Sequence, residues 1–131
     1  MIFPDKTTLE RIRQEYPKGC RVRLFSMNDT QAPPIGTRGT VQGVDDAGNL
    51  LVKWDNGSGL NVVLGVDEVK KLDVEVTTCC FGNICDWFSI YEAKEYFLDA
   101  IENARTSKEL VSCLKIYYKI FIGEKFCSDI D

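Results

Sequence analysis

The chain has 131 residues, 44% of them hydrophobic, with 16 Lys and Arg side chains against 20 Asp and Glu. That length supports one ordinary core or two small ones, so folding requires no disulfide framework. The net charge of −4 and the pI of about 4.9 argue against a nucleic-acid-binding surface, which is normally basic.

The chain carries no pattern typical of a signal peptide or a membrane span. Its opening segment 1–17 is charged from the fifth residue, and no stretch approaches 18 uncharged residues. We therefore expect a cytoplasmic protein without membrane contact. Thiols stay reduced in that compartment, so metal binding or burial explains the six cysteines better than structural disulfides do.

The first half combines one helical pattern with short strands. A helix capped by Thr7 or Thr8 is expected to end before Pro17. Gly39 and Gly43 mark bends or bulges of the kind that a small barrel needs. The strands are predicted from alternating apolar residues over 20–24, 37–44, 50–54 and 60–64. Four such strands predict a small, strongly bent antiparallel barrel.

Two segments of this half, GCRVRLFSMND and PPIGTRGTVQGVDDAGNLLVKWDNGSGLNV, resemble an uncharacterised SH3-like domain family carried by phages and other mobile elements of Gram-positive bacteria. The resemblance covers residues 1–72, and GTRGTV with GNLLVKWDNG is its most specific part. GTRGTVQGVDD is also similar, more distantly, to the ribosomal KOW motif. Such barrels host many binding functions and rarely catalysis, so the resemblance implies a binding module. Similar helical tails with a cysteine-containing end accompany domains of this family.

The second half is helical in pattern. Ser89 with Glu92, and Thr106 with Glu109, form two capping boxes, and apolar residues follow each box at spacings of three and four. The patterns predict two helices, over 89–104 and 106–122. Because only a residue or two joins them, we expect an antiparallel helical hairpin.

The predicted fold class is therefore α+β. A short helix and an SH3-like antiparallel β-barrel are expected over 1–72, and a cysteine cluster with the helical hairpin over 73–131, packed together as one compact unit. The second helix of the hairpin has two apolar stripes. One stripe can cover the first helix, and the other needs the barrel, a partner or a second copy of the chain as its cover. The stripes comprise Leu110, Leu114, Tyr117 and Phe121 on one side, and Cys113, Ile116 and Ile120 on the other.

Helix geometry indicates a metal site. Two helices of about 24 and 25 Å return the chain to the end where it started, which places Cys127 near Cys79, Cys80 and Cys85. Four thiolates suit the tetrahedral coordination of a structural zinc ion. The chain has no histidine that could replace one of them. Zinc is therefore the predicted cofactor.

Adjacent cysteines point in opposite directions in an extended strand, so the metal site has alternatives. If Cys79 or Cys80 points away, Asp86 or Asp129 can supply an oxygen ligand. Without a metal, the same cysteines are buried free thiols, or some of them form a redox or regulatory disulfide. The other two cysteines, at positions 20 and 113, are expected in the core.

No enzyme is predicted, because a catalytic zinc or a nucleophilic cysteine would need a histidine or a comparable partner. A small acidic protein of a type carried by mobile elements is expected to bind a protein. Anti-CRISPR proteins share this profile, which implies stoichiometric inhibition of a basic nuclease such as Cas9. We assign partner contact to Glu95, Asp99, Glu102 and Trp87, in a monomer or weak self-associate.

Two rival functions remain. A KOW-like accessory protein associated with nucleic acid would use the cations of the barrel, Arg21, Arg23, Arg38 and Lys53. The other is a structural or assembly protein of the mobile element itself.

Overall fold

The computed structural model describes residues 3–130. The chain divides into two units, one ending at Leu72 and the other beginning at Asp73. Both units contain helix and sheet, which confirms the α+β class.

The first unit comprises one helix and a four-stranded antiparallel sheet with strand order β3-β2-β1-β4. Asp5 caps the helix by accepting the Thr8 amide at 2.7 Å, so the predicted cap at Thr7 or Thr8 was wrong. The elements are α1 (Lys6–Glu15), β1 (Arg21–Ser26), β2 (Arg38–Val44), β3 (Leu50–Trp54) and β4 (Glu68–Lys71).

The two glycines of β2 have different roles. A bulge between Val41 and Gly43 breaks the β2–β3 register, as predicted for Gly43. At Gly39 the constraint is close packing, because a Cβ atom there would lie 2.7 Å from Val52 Cγ1 and 2.8 Å from Trp54. The sheet therefore bends at one glycine and packs tightly at the other.

The predicted strand over 60–64 is reduced to two isolated bridges, one between Leu50 and Val62 and one between Leu64 and Asp67. The Asp67 carboxylate accepts the Val63 amide at 2.8 Å, which holds this segment in a turn. The fourth strand is β4 instead, and its sequence, EVKK, has only one apolar residue from which alternation could be detected. Within residues 3–130, β3 and β4 are the outer strands of the sheet, so the predicted barrel is not closed.

The core of the first unit consists of the inward-facing residues of three strands and Val62. Trp54 lies at its centre with 1% exposure, and its indole N–H donates to the Leu60 carbonyl at 2.8 Å. The cluster is Val22, Leu24, Val41, Leu50, Val52, Trp54 and Val62.

Arg21 departs from the alternation that the sequence predicts for β1. It is buried beside Val22, and its guanidinium contacts both carboxylate oxygens of Asp55, at 2.7 and 2.6 Å. The side chain also donates to Thr40 Oγ1 at 3.1 Å. A bidentate pair of this kind allows a charge to be buried where the strand pattern predicts exposure.

The second unit comprises a mixed three-stranded sheet, with order β6-β5-β7, and two helices. β5 and β6 form an antiparallel hairpin, whereas β5 and β7 are parallel. The helices pack on each other, and α3 also packs on β5 and β7. The elements are β5 (Val76–Cys80), β6 (Asn83–Trp87), α2 (Ile90–Glu102), α3 (Ser107–Phe121) and β7 (Phe126–Ser128).

The starts of α2 and α3 were predicted correctly, whereas the sheet of the second unit was not predicted. Ser89 accepts the Glu92 amide at 3.3 Å, and Thr106 accepts that of Glu109 at 3.1 Å. The hairpin between β5 and β6 turns at Phe81 and Gly82, both with positive φ (51° and 78°). Positive φ at both central residues is the geometry of the two-residue turns that match strand twist. Such turns are recognised in a sequence by Asn, Asp or Gly at the first turn position. Because Phe81 occupies it here, the sequence does not predict this hairpin.

The buried ion pair of the first unit generates a stability prediction. Asp55→Ala leaves the Arg21 guanidinium, whose side chain is 2% exposed, without its carboxylate. We expect a loss of about 3 kcal/mol in the free energy of unfolding, at the lower end for buried pairs broken from one side, because the Asp55 side chain is 27% exposed. Urea denaturation monitored by Trp fluorescence measures it.

The control is Asp46→Ala, which breaks the Arg13–Asp46 contact, whose Asp46 side chain is 91% exposed. Exposed pairs contribute little, so this variant should unfold near the wild-type midpoint. An equal effect of both substitutions would contradict the structural role of the buried pair.

Candidate functional site

The alternation of β5 separates the cysteines that the sequence places together. Thr78 pairs with Cys85 on one side and Cys127 on the other, so these three side chains lie on the same face of the sheet as Cys80. Cys79 pairs with Ile84 and lies on the opposite face. The four predicted zinc ligands are therefore divided between two faces.

A tetrahedral site is not assembled by this arrangement. Within residues 3–130, no group of three or more Cys, Asp or Glu side chains is placed to hold a metal ion. Asp86, one of the two substitute ligands, accepts a hydrogen bond from Thr77 Oγ1 at 2.7 Å. As arranged, the residues do not fit a zinc ion. Zinc binding stays a prediction that would require β5 to rearrange.

Cys127 is a core residue of the second unit. It is fully buried, and its thiol donates to the Glu124 carbonyl at 3.3 Å. Burial raises the pKa of this thiol to about 11. It therefore stays protonated at neutral pH. Cys85, by contrast, is exposed.

A groove of about 510 Å³ opens between the helix-facing side of the sheet and the helices. Trp87 forms part of its wall, with its indole N–H donating to Thr78 Oγ1 at 2.9 Å. The Trp87 ring lies 5.3 Å from that of Tyr96 and 6.3 Å from that of Phe97. Trp87, predicted to contact a partner, therefore packs against two other aromatic rings in the wall of the groove.

The groove also contains a pair of thiols that sequence reasoning missed. Cys80 on β5 and Cys113 on α3 both line it. Cys113, predicted in the core, is buried there, whereas Cys80 was predicted to act with its neighbours in the chain. No spacing rule connects residues 80 and 113, so only the packing of α3 on β5 reveals the pair.

A carboxylate lies close to this pair. Asp129 Oδ2 accepts the Phe81 amide at 3.1 Å, while Oδ1 is buried without a hydrogen-bond partner. Burial raises the pKa of Cys80 to about 11, and the charges of Cys113 and Asp129 contribute to that rise. The pKa of Cys113 is also raised, mainly by burial.

The helices expose a second candidate surface. The stripe of α3 through Cys113, Ile116 and Ile120 is buried, and its cover is the sheet of the same unit. The opposite side of α3 and one residue of α2 form what we call the outer apolar patch. Its residues are 37% to 69% exposed: Leu98, Leu110, Val111, Leu114, Tyr118 and Phe121.

The acidic residues assigned to partner contact lie on α2. Glu95, Asp99 and Glu102 are all exposed, and we call them the acidic row. The Lys94 ammonium lies 5.7 Å from the centre of the Phe121 ring, which shows that α2 borders the outer apolar patch. The acidic row and the outer apolar patch thus both lie on the helices α2 and α3.

Comparison with known proteins identifies a family for the first unit. The chain belongs to the family described as "Domain of unknown function (DUF4314)", whose model matches residues 5–72, just over half of the sequence. The second unit lies outside that match. No curated protein matches the chain, and no solved structure does. None of the helices in residues 3–130 is both long and apolar enough to cross a membrane.

The placement of the cysteines makes the zinc prediction testable with one diagnostic variant. If zinc is bound as predicted, the purified protein carries about one zinc ion per chain, and Cys85→Ser lowers both zinc content and melting temperature. Because Cys85 is exposed, its replacement leaves no cavity in the core, so a large drop in melting temperature together with loss of zinc indicates a metal ligand. Elemental analysis with thermal denaturation measures both.

Cys127→Ser is the contrasting variant, since it perturbs a buried thiol with or without metal. Metal-free protein whose melting temperature is unchanged by Cys85→Ser would contradict the zinc site.

Proposed function

We propose that this chain is a non-enzymatic protein-binding module whose contact surface is the outer apolar patch together with the acidic row. The observation that carries the proposal is the second apolar side of α3, which the sheet of its own unit does not cover. Six large side chains at these exposures amount to apolar surface on the order of 600 Å². That is at the upper end of what monomeric proteins expose, and larger patches mark interaction sites.

The narrower form of the proposal is stoichiometric inhibition of a host defence nuclease such as Cas9. It is supported by the net charge of −4 and by the exposed acidic row, because nucleases that hold nucleic acid present basic surfaces. Complementary potentials speed encounter and discriminate between partners. A stoichiometric inhibitor requires only a stable complex, which needs no catalytic groups in this chain.

An SH3-like character of the first unit and an antiparallel hairpin in the second belong to the same proposal. The hairpin is supported by the contact between Lys94, early in α2, and Phe121, the last residue of α3. The proposed contact surface does not need a structural zinc ion, because the outer apolar patch is built from helix residues alone.

A nucleic-acid-associated role is the second candidate, and one observation favours it. Arg23 lies over the Phe25 ring at 5.8 Å, and both residues are exposed on β1. An exposed Arg beside an aromatic ring is a combination that binds single-stranded nucleic acid. Arg21 cannot contribute to such a surface, because it is buried against Asp55.

The outer apolar patch can be tested directly. Leu114→Asp combined with Tyr118→Ser should abolish specific capture of host or phage proteins by the immobilised chain, because it places a charge in the patch. Both side chains are at least 46% exposed, so thermal stability should change little. Quantitative mass spectrometry of the captured proteins measures the effect.

The matched control is Val66→Asp, which replaces an exposed apolar residue, 72% exposed, of the first unit, outside the outer apolar patch. It should leave capture unchanged. Equal capture by wild type and by the double variant would remove the outer apolar patch as the contact surface.

The nuclease form of the proposal predicts a one-to-one titration endpoint against Cas9 loaded with guide RNA. Replacing the acidic row, Glu95, Asp99 and Glu102, by Lys should slow association by about tenfold or more at low salt. Folding should be almost unaffected, since exposed charges contribute little to stability. Cleavage assays at fixed nuclease and stopped-flow binding measure the two quantities.

The control changes the net charge equally by replacing Glu10, Glu68 and Asp73, which are exposed elsewhere, by Lys. Similar slowing in both variants would indicate net charge rather than the acidic row. Absence of inhibition at large excess would exclude the Cas9 form of the proposal. Tight, salt-sensitive binding of free DNA that is lost in Arg23→Ser would instead favour the nucleic-acid role.

A further inference from the structure

We propose that the outer edge of β6 is an interaction surface for a second copy of this chain, which pairs there strand to strand. Among residues 3–130, β6 pairs only with β5 and forms one end of its sheet. Asn83, Ile84 and Cys85 are exposed. This edge belongs to the sheet, whereas the outer apolar patch lies on the helices, so the inference is independent of the proposed function.

The backbone of alternate β6 residues points away from β5. The Thr77 amide and the Cys79 carbonyl bond to the segment of β7, at 2.9 and 3.1 Å, so these two residues of β5 direct their backbone groups away from β6. In an antiparallel pair, the residues opposite them direct their own groups to the other side. Those residues are Asp86 and Ile84. The Ile84 amide and carbonyl therefore point to the place where an added strand pairs.

Both edges of the first sheet are protected against such pairing. On β3, the amides of Leu50 and Trp54 donate, at 2.9 Å each, to carbonyls of the segment that follows the strand. That segment therefore covers the β3 edge. β4 has the sequence EVKK, and charged residues, lysine above all, oppose the addition of a strand at an edge.

The β7 edge of the second sheet is protected as well, and β6 is not. β7 has only three residues, and Lys119 Nζ donates to its Ser128 carbonyl at 2.7 Å. Because the next residue, Asp129, bonds to β5 through its amide, that carbonyl points outward. The sequence of β6 is NICDW, in which Asp86 is the charged residue. Its carboxylate accepts a hydrogen bond from Thr77 Oγ1 at 2.7 Å, which holds it toward β5 rather than across the edge.

A second copy supplies a strand that fits this edge. A two-fold axis at Cys85 pairs the whole of β6 with its counterpart, antiparallel. Cys85 then lies opposite Cys85 of the second copy, and Ile84 lies opposite Asp86. No like charges are directly opposed, an arrangement that would be unfavourable in a sheet. The symmetry uses both β6 edges at once and leaves only the protected β7 edges, so assembly stops at a dimer.

The size and charge of the contact determine its strength. Five residues on each side bury less than a standard protein interface, so we expect weak, reversible association. Each copy carries a net charge of −4, and added salt screens the repulsion between them. Dimerisation should therefore strengthen with salt, whereas binding of the acidic row to a basic partner should weaken.

Sedimentation equilibrium of the full-length protein, from micromolar to millimolar concentration, measures the association. The average mass should rise from 14.8 kDa toward twice that value. Ile84→Pro removes an outward amide and leaves the β5–β6 hydrogen bonds in place, as proline does on edge strands. Since two hydrogen bonds across the interface are lost, dimerisation should weaken by about tenfold or more. Thermal denaturation checks that the variant is folded.

A charge pair tests the register even if the proline variant fails to fold. Ile84 is 37% exposed, so polar residues are tolerated there. Ile84→Asp places a carboxylate opposite Asp86 of the second copy and should weaken dimerisation several-fold. Ile84→Lys, the matched control, places an ammonium there and should retain it. If both variants weaken dimerisation equally, the proposed register is wrong.

Cys85 provides a second measurement on the unmodified protein. Opposed residues of a non-hydrogen-bonded pair have Cα atoms about 4.5 Å apart, a separation that a disulfide can span. Diamide, which accepts the two thiol hydrogens, should link Cys85 to Cys85 of the second copy, as peptide mapping would show.

A monomer at every concentration would overturn the proposal. So would self-association that Ile84→Pro and Ile84→Asp leave unchanged. If that association were lost in Leu114→Asp combined with Tyr118→Ser, the contact would belong to the outer apolar patch instead.

Discussion

The position of β5 at the centre of the three-stranded sheet governs the chemistry of the second unit. A central strand is paired on both edges, so its side chains alternate strictly between two faces and cannot rotate to share one. That constraint sends Cys80 toward the helices and Cys79 away from them. It also places Thr78, Cys85 and Cys127 on one level across the sheet, with Cys127 buried and Cys85 exposed.

The small three-stranded sheet of the second unit also leaves one side of α3 uncovered. Three short strands cover one side of α3, and α2 covers a flank, but neither reaches the outer side of the helix. The buried stripe through Ile116 and Ile120 supplies the core, while the apolar residues opposite remain exposed. Exposed apolar surface of this extent is unfavourable in water unless a partner removes it. The proposed binding function follows from this incomplete cover and from the acidic row beside it.

In the first unit, the burial of strand residues follows the sequence pattern except at one position. Its strands follow the predicted alternation wherever apolar residues reach the core. Arg21 breaks the pattern because a bidentate contact with Asp55 stabilises a charge in a buried position. One of the four cations that could have formed a nucleic-acid surface is therefore part of the structural framework. The same strand exposes Arg23 beside Phe25. This exposed pair is the observation that favours the nucleic-acid-associated role.

Local sequence determined the parts of this protein that depend on neighbouring residues. The capping residues Ser89 and Thr106, the bulge at Gly43 and the buried Trp54 all follow from short-range patterns and hydrophobicity. These features arise from backbone hydrogen bonds and side-chain burial within a few residues, so the sequence alone is sufficient to predict them.

Tertiary structure decided which distant side chains meet. The fourth strand of the first sheet, with one apolar residue in EVKK, forms because β1 offers a free edge to pair with. The hairpin that pairs β5 with β6, and so fixes Cys79 and Cys80 on opposite faces of the sheet, depends on positive φ at Phe81, a conformation that Phe rarely adopts. Cys80 and Cys113 line the same groove only because α3 packs on β5. Sequence spacing does not encode these contacts, because each results from chain segments that meet only after both have folded.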